Sequence, residues 1–162
     1  MTITTSILML MVAAIMAGAA MVLSFIRGWV AVLAAYAAMV VAHLSHVAMF
    51  SSNDLVFWGV AAVIAAAGEY YAPARPPRSL CRYGAGGAMA GSVIGLAMGS
   101  QAAVIVAGAI AIVMAAMAWK RTPAGRKFRS RLSPLLLATI GLCPLVNFTI
   151  IMLILAQIIS TR

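Results

Sequence analysis

The sequence predicts an all-α integral membrane protein, and three observations support this fold class. Apolar residues make up 65% of the 162 positions and charged residues only 8%, so a soluble domain of this size would lack a polar shell. The apolar residues form long uncharged runs, and the mean hydropathy is +1.12. The runs lack the apolar/polar alternation of transmembrane β-strands, and helices are the other way to satisfy backbone hydrogen bonds in lipid.

Charged and turn-forming residues divide the chain into apolar segments. A helix needs about 20 apolar residues to cross the ~30 Å hydrocarbon layer. We therefore predict a single polytopic helix bundle, one transmembrane domain over residues 1–162, with helices at about 7–26, 29–50, 55–72, 83–99, 102–119 and 134–159.

The first segment is interpreted as a retained transmembrane helix. No charge precedes Ile7, and the apolar run continues to Ile26, whereas a signal peptide has a basic start and a shorter apolar core. Ala17 and Ala19 form a weak cleavage-like pair, so removal of the segment stays open as the alternative.

Polar breaks separate the first three helices. Arg27 and Gly28 end the first, and the turn at 51–54 ends the second. The third is followed by a loop at 73–82 that holds three prolines, a density at which a helix cannot continue.

The 37 uncharged residues from Tyr83 to Trp119 are too long for one crossing. A single helix of that length would measure about 55 Å, nearly twice the apolar thickness. A turn around 99–101 divides the stretch into a hairpin with two short arms. The arms are either two thin crossings or a re-entrant hairpin buried in protein, and the sequence does not distinguish them.

The basic loops indicate how the protein lies in the membrane. Most of the net charge of +9 falls in the loops 73–82 and 120–133, and basic residues of short loops collect on the cytoplasmic side. The hairpin places both basic loops on the cytoplasmic side, and it places Asp54 and both termini outside. We expect a multi-pass protein of the bacterial inner membrane, with anionic lipid headgroups at the basic loops and no nucleic-acid partner.

Small residues recur at every fourth position in the hairpin. A ladder of such residues forms a smooth groove on a helix where another backbone can approach. The arms are predicted to form a glycine zipper with each other, with another subunit, or with both. The first arm carries Gly87, Gly91, Gly95 and Gly99, and the second carries Ala103, Ala107, Ala111 and Ala115.

These residues also resemble those of a known family. The chain is similar, over roughly residues 69–159, to the bacterial family of unknown function numbered 456, small glycine-zipper membrane proteins. The shared features are Glu69 at a helix end, the entry Tyr83-Gly84-Ala85, the glycine ladder and the segment 138–141. The chain departs from the family at Gly86, at Asn147 and in the second arm. The resemblance implies an architecture and no activity.

Glu69 is one of only two acidic residues and a candidate for a polar or transport site. Polar groups inside a membrane are costly, which makes them functional candidates. The simpler interpretation is an interfacial acid paired with Arg75 or Arg78, with Tyr70 and Tyr71 in the aromatic belt. The alternative is a proton or cation site in a cavity.

His43 and His46 are three residues apart, so a helix would place them on one face. We interpret them as neutral side chains bonded to neighbouring helices, with a proton relay or metal site as alternatives. We predict no metal, cofactor or catalytic residue.

In the last helix, Asn147 and Gln157 are expected to bond across helices, and Pro144 to kink the helix and free the carbonyl of Ile140. Cys81 and Cys143 are expected to stay reduced.

Two functions remain open at this stage. The first is a tightly packed, homo-oligomeric bundle with a structural or partner-binding role and no enzymatic activity. The second is a small transporter, channel or lipid translocator that uses Glu69, His43 and His46.

Overall fold

The computed structural model describes residues 3–24, 26–72, 76–127 and 133–160. Within these ranges the chain is helical and contains no strand. Parts of the two basic loops, 73–75 with Arg75 and 128–132, lie outside the described residues. The helices of the described part are α1 (Ile3–Leu23), α2 (Gly28–Leu44), α3 (Ser52–Tyr70), α4 (Arg78–Ala97), α5 (Gln101–Lys120), α6 (Pro123–Lys127) and α7 (Pro134–Ser160).

Three of these helices are long and apolar enough to cross a membrane. They are α1, α5 and α7. A fourth apolar helix, α2, has 17 residues, the short end of the range for a span. Length and composition therefore support a membrane protein.

The second helix is shorter than the predicted range 29–50, because α2 ends at Leu44. The Ser45 hydroxyl donates to the Ala42 carbonyl over 2.6 Å, which occupies one carbonyl left unpaired at the helix end. His46 then adopts a left-handed conformation with φ of 57°, and this turns the chain out of the helix.

The next helix, α3, begins with a capping box. The Ser51 hydroxyl accepts from the Asp54 N–H over 3.1 Å, and the Asp54 carboxylate accepts from the Ser51 N–H over 3.3 Å. Two N–H groups that the helix leaves unpaired are thus satisfied.

The turn between α4 and α5 is tight. Gly99 has φ of +72°, a conformation that costs glycine nothing, and the Ser100 hydroxyl caps α5 by accepting from the Ala103 N–H over 3.1 Å. The two helices then run antiparallel, each 20 residues long. Both arms are longer than predicted. α4 begins five residues earlier, at Arg78, and α5 extends one residue further at each end.

The centre of the bundle is α7. It packs on α2, α3, α4 and α5, with a smaller contact to α1, and all residues from Leu145 to Ile151 are buried. A helix buried all round its circumference is a central one. By contrast, α1 packs mainly on α2 and buries only Ala13 and Ala20.

The candidate helix-packing interface and polar clusters

Three glycines of the predicted ladder bring α4 onto the backbone of α5. A Cβ at Gly87 would lie 2.6 Å from the Ala111 carbonyl oxygen, one at Gly91 would lie 2.8 Å from the Gly108 nitrogen, and one at Gly95 would lie 2.7 Å from the Val104 nitrogen. Real Cβ atoms do not come this close to backbone atoms. Each position therefore requires glycine at this helix separation.

The four predicted alanines of α5 lie against the ladder. Ala111 and Ala115 supply atoms within 3.0 Å of a Cβ built at Gly87, Ala107 does so at Gly91, and Ala103 at Gly95. The residue that follows each alanine is more deeply buried, namely Val104, Gly108, Ile112 and Ala116. Of these, Gly108 faces Leu145 and Ile112 faces Gly141, both on α7. Ala103, Ala107, Ala111 and Ala115 are half-buried at the edge of the contact, where Ala107 and Ala111 contribute carbonyl groups. Sequence reasoning missed Gly108, although it is the one glycine within α5 and so marked the closest approach.

Gly99 lies outside the helix contact. No atom comes within 4 Å of a Cβ built there. Its conformation serves the turn instead, so the ladder has three packing members.

The carbonyl freed by Pro144 in α7 meets another glycine. Proline has no N–H for the carbonyl four residues earlier, and that carbonyl, of Ile140, would lie 2.7 Å from a Cβ at Gly84. Without the Cβ, a Cα–H of Gly84 faces the unpaired oxygen, the geometry of a weak hydrogen bond.

A short polar chain joins α4 and α7 further along. The Thr149 hydroxyl lies 3.0 Å from the Ser92 hydroxyl, and both are buried. The Ser92 hydroxyl also lies 2.8 Å from the Ala88 carbonyl oxygen. These bonds keep both hydroxyls satisfied inside the bundle.

Glu69 lies at the start of α2. Its Oε1 accepts from the Gly28 N–H over 3.1 Å, where the positive end of the helix dipole favours an anion. The Cys143 side chain lies beside it. The predicted partner Arg75 falls outside the described residues. Tyr70 packs edge-on against Trp29, with ring centroids 5.7 Å apart.

The two histidines do not share a helix face, and the prediction that they do is wrong. α2 ends before His46, which is exposed in the following turn. The His43 Nδ1 accepts from the Phe50 N–H over 3.2 Å, which ties down this turn. Glu69 contacts the first residue of α2, and His43 follows about 22 Å further along the helix. The described residues contain no group of three metal-ligating side chains.

Asn147 bonds to the end of α1. Its Nδ2 donates to the Ser24 hydroxyl over 2.5 Å, and Ser24 in turn donates to the Ala20 carbonyl over 3.0 Å. Because the Ser24 proton is used on Ala20, the amide must present its NH₂ to Ser24. The Asn147 Oδ1 is then buried with no hydrogen-bond partner.

Sequence reasoning also missed a cleft of about 670 Å³ between α3, α5 and α7. Its walls are Val56, Val60 and Ile64 of α3 and Ile105 of α5, and its floor includes Val146 of α7. At one end α3 and α5 are joined by a hydrogen bond from Gln101 to the Asp54 carboxylate. No periodicity in a single segment could reveal a cleft between three segments.

Polar contacts at the other end of the bundle bring the basic segments together. The Trp119 Nε1–H donates to the Ser79 hydroxyl over 3.1 Å, so the start of α4 lies beside the end of α5. The cations Arg78, Arg82, Lys120, Arg121, Arg126 and Lys127 all belong to these segments.

Searches against protein-family models, characterised proteins and solved structures found no match to this chain. The resemblance to the glycine-zipper family therefore stays a prediction from the residues quoted above.

Proposed function

We propose that this chain is an integral membrane protein with a structural or partner-binding role, built as a glycine-zipper bundle. The observation that supports this most directly is the approach of Gly91 to Gly108. Backbone contact at this position allows close van der Waals packing, which favours helix association in lipid. At four more glycines, at positions 84, 87, 95 and 141, atoms of a neighbouring helix also occupy the space that a Cβ would need.

In this proposal the six longer helices all cross the membrane, and the α4–α5 hairpin spans it rather than re-entering. Each arm has 20 residues and measures about 30 Å, the thickness of the hydrocarbon layer. The end with Ser79 and Trp119 is cytoplasmic in the bacterial inner membrane because it carries the cations. The Asp54–Gln101 end faces outward.

The polar groups singled out from the sequence have local structural uses that fit this role. Glu69 binds the N-terminus of α2, and His43 binds the backbone of the next turn. A transport site that combines these two side chains is not supported, since they lie at opposite ends of α2.

A second candidate, transport or channel activity, has one supporting observation. The Asn147 Oδ1 is an unpaired acceptor inside the bundle, and such atoms are rare without a ligand or water. Its neighbour one turn earlier on α7 is Cys143, which lies beside Glu69. A polar path through the inner half of the bundle would use these three side chains.

The proposed partners are anionic lipids at the basic end and a second copy of the chain. Because the ladder glycines are occupied by α5, a homo-oligomer would use a different surface. On α1, Ala14 and Gly18 are exposed and four residues apart, and no atom lies within 4 Å of a Cβ built at Gly18.

Leucine substitutions test the packing role. Gly91→Leu and Gly95→Leu should separate α4 from α5 and lower the thermal stability of the detergent-solubilised protein, by at least the ~1–3 kcal/mol that overpacking usually costs. Val93→Leu is the matched control, since Val93 is 53% exposed on the same helix. Equal stability of the three variants would refute the zipper.

A further inference from the structure

We propose that the cleft between α3, α5 and α7 holds one acyl chain of an outer-leaflet lipid with a primary-ammonium headgroup, of the phosphatidylethanolamine type, beside Asp54. This goes beyond the proposed structural role but rests on the membrane placement given with it. The cleft, its length and the charge at its outer end support the assignment independently.

The length of the cleft matches one leaflet. Its α3 wall runs from Ser52 through Val56 and Val60 to Ile64, a distance of about 18 Å along the helix. Half of the hydrocarbon layer is about 15 Å deep. An acyl chain that enters at the outer surface would therefore run along the cleft and end near the bilayer centre.

The lining of the cleft changes from polar to apolar along that length. Ser52, Asn53 and Gln101 lie at the outer end, and Ile105 and Leu142 are among the apolar residues deeper in the membrane. A phospholipid has the same order, with hydrogen-bonding groups at the surface and hydrocarbon below. A cleft that binds a helix from a second copy is instead expected to be apolar along its whole length.

The charge at the outer end selects the headgroup. Asp54 is the one acid at this end, and the described Lys and Arg residues lie at the opposite end. Its carboxylate accepts from Gln101 and from the N–H and hydroxyl of Ser51, while a carboxylate has about four acceptor positions. A primary ammonium can donate to the remaining position, and a quaternary one cannot.

Native mass spectrometry of the purified full-length protein tests the proposal. Phosphatidylethanolamine, phosphatidylcholine and phosphatidylglycerol with identical chains would be added in turn. We expect about tenfold tighter retention of phosphatidylethanolamine, the scale of one charge-assisted hydrogen bond. Equal retention of the three lipids by the wild-type protein would overturn the proposal.

Variants separate the acyl chain from the headgroup. Val60→Trp should fill the cleft and abolish retention, whereas Val63→Trp, at an exposed position of α3 outside the lining, should not. The Asp54→Asn variant should retain phosphatidylethanolamine and phosphatidylcholine equally. Unchanged retention in Val60→Trp would overturn the proposal, as would a loss of dimer in that variant without loss of lipid, which would identify a second copy as the occupant.

Alkaline carbonate extraction distinguishes the two levels of failure. A chain released by carbonate would refute the membrane placement itself. A chain that resists release but shows no headgroup preference refutes the lipid site alone.

Discussion

Asn147 is the residue for which the packing role and the transport role predict different environments. Its NH₂ group meets Ser24, but its Oδ1 is buried without a partner, and an unsatisfied acceptor is costly in a low-dielectric interior. Either bound water or a ligand offsets that cost, or the residue has a function that outweighs it.

Asn147→Leu should therefore leave stability within about 1 kcal/mol of the wild type or raise it, since interhelical amide bonds contribute little on average. Ser24 keeps its bond to Ala20, so the substitution creates no new unpaired hydroxyl. The measurement is thermal unfolding in detergent, with Thr149→Val as the control for a buried polar group with partners. A loss of several kcal/mol would show that the Oδ1 is satisfied in the membrane.

At the scale of helices, the described chain is helical as predicted. The ends of α5 and α7 lie within one residue of the predicted ones, whereas α2 ends six residues early and α4 begins five residues early. Composition decides whether a segment of this kind is helical, because lipid forces its backbone to bond internally. The end of α2 depends instead on Ser45 and His46, which bond and turn locally. The register of α5 on α4 depends on the relative rotation of the two helices, which places Gly108 beside Ala107 opposite Gly91.

The turn after α2 gives a prediction about helix termination. His46 has φ of 57°, which costs a non-glycine residue about 1–2 kcal/mol. His46→Gly should raise stability by about 1 kcal/mol, as measured by thermal unfolding. His46→Ala retains the strain and is the control. A destabilised His46→Gly protein would instead assign the imidazole a contact of its own.

The exposed face of α1 gives a prediction about assembly. If Ala14 and Gly18 form the contact with a second copy, Gly18→Leu should weaken the oligomer by about 1–3 kcal/mol, the usual cost of overpacking. Val12→Leu, on a different face of α1, should leave it intact. Sedimentation in density-matched detergent measures both, and a shift in Val12→Leu alone would place the contact elsewhere.

At the scale of the molecule, the bundle has two chemically different ends. One carries Asp54 and Gln101, and the other carries the start of α4 and the end of α5 with their cations. Because basic loops favour the cytoplasm, we expect this asymmetry to orient the proposed membrane protein with its basic end in the cytoplasm.

Labelling of single cysteines tests the orientation. In a background with Cys81→Ser and Cys143→Ala, cysteines at Arg78 and Arg126 should react from the cytoplasmic side of membrane vesicles. A cysteine at Asn53 should react from the opposite side. Reaction of the first two positions from different sides would contradict the arrangement.

The close contact between α4 and α5 also has a consequence for the order of assembly during synthesis. Gly87, Gly91 and Gly95 find their partners within 25 residues of chain, and contacts between near neighbours form fastest. The hairpin can thus close while later residues are still being translated. α7, which contacts five earlier helices, α1 to α5, is synthesised after all of them. In the proposed membrane bundle, the centre would therefore stay unfilled until α7 enters. We expect a chain truncated before Pro134 to be a substrate for membrane proteases.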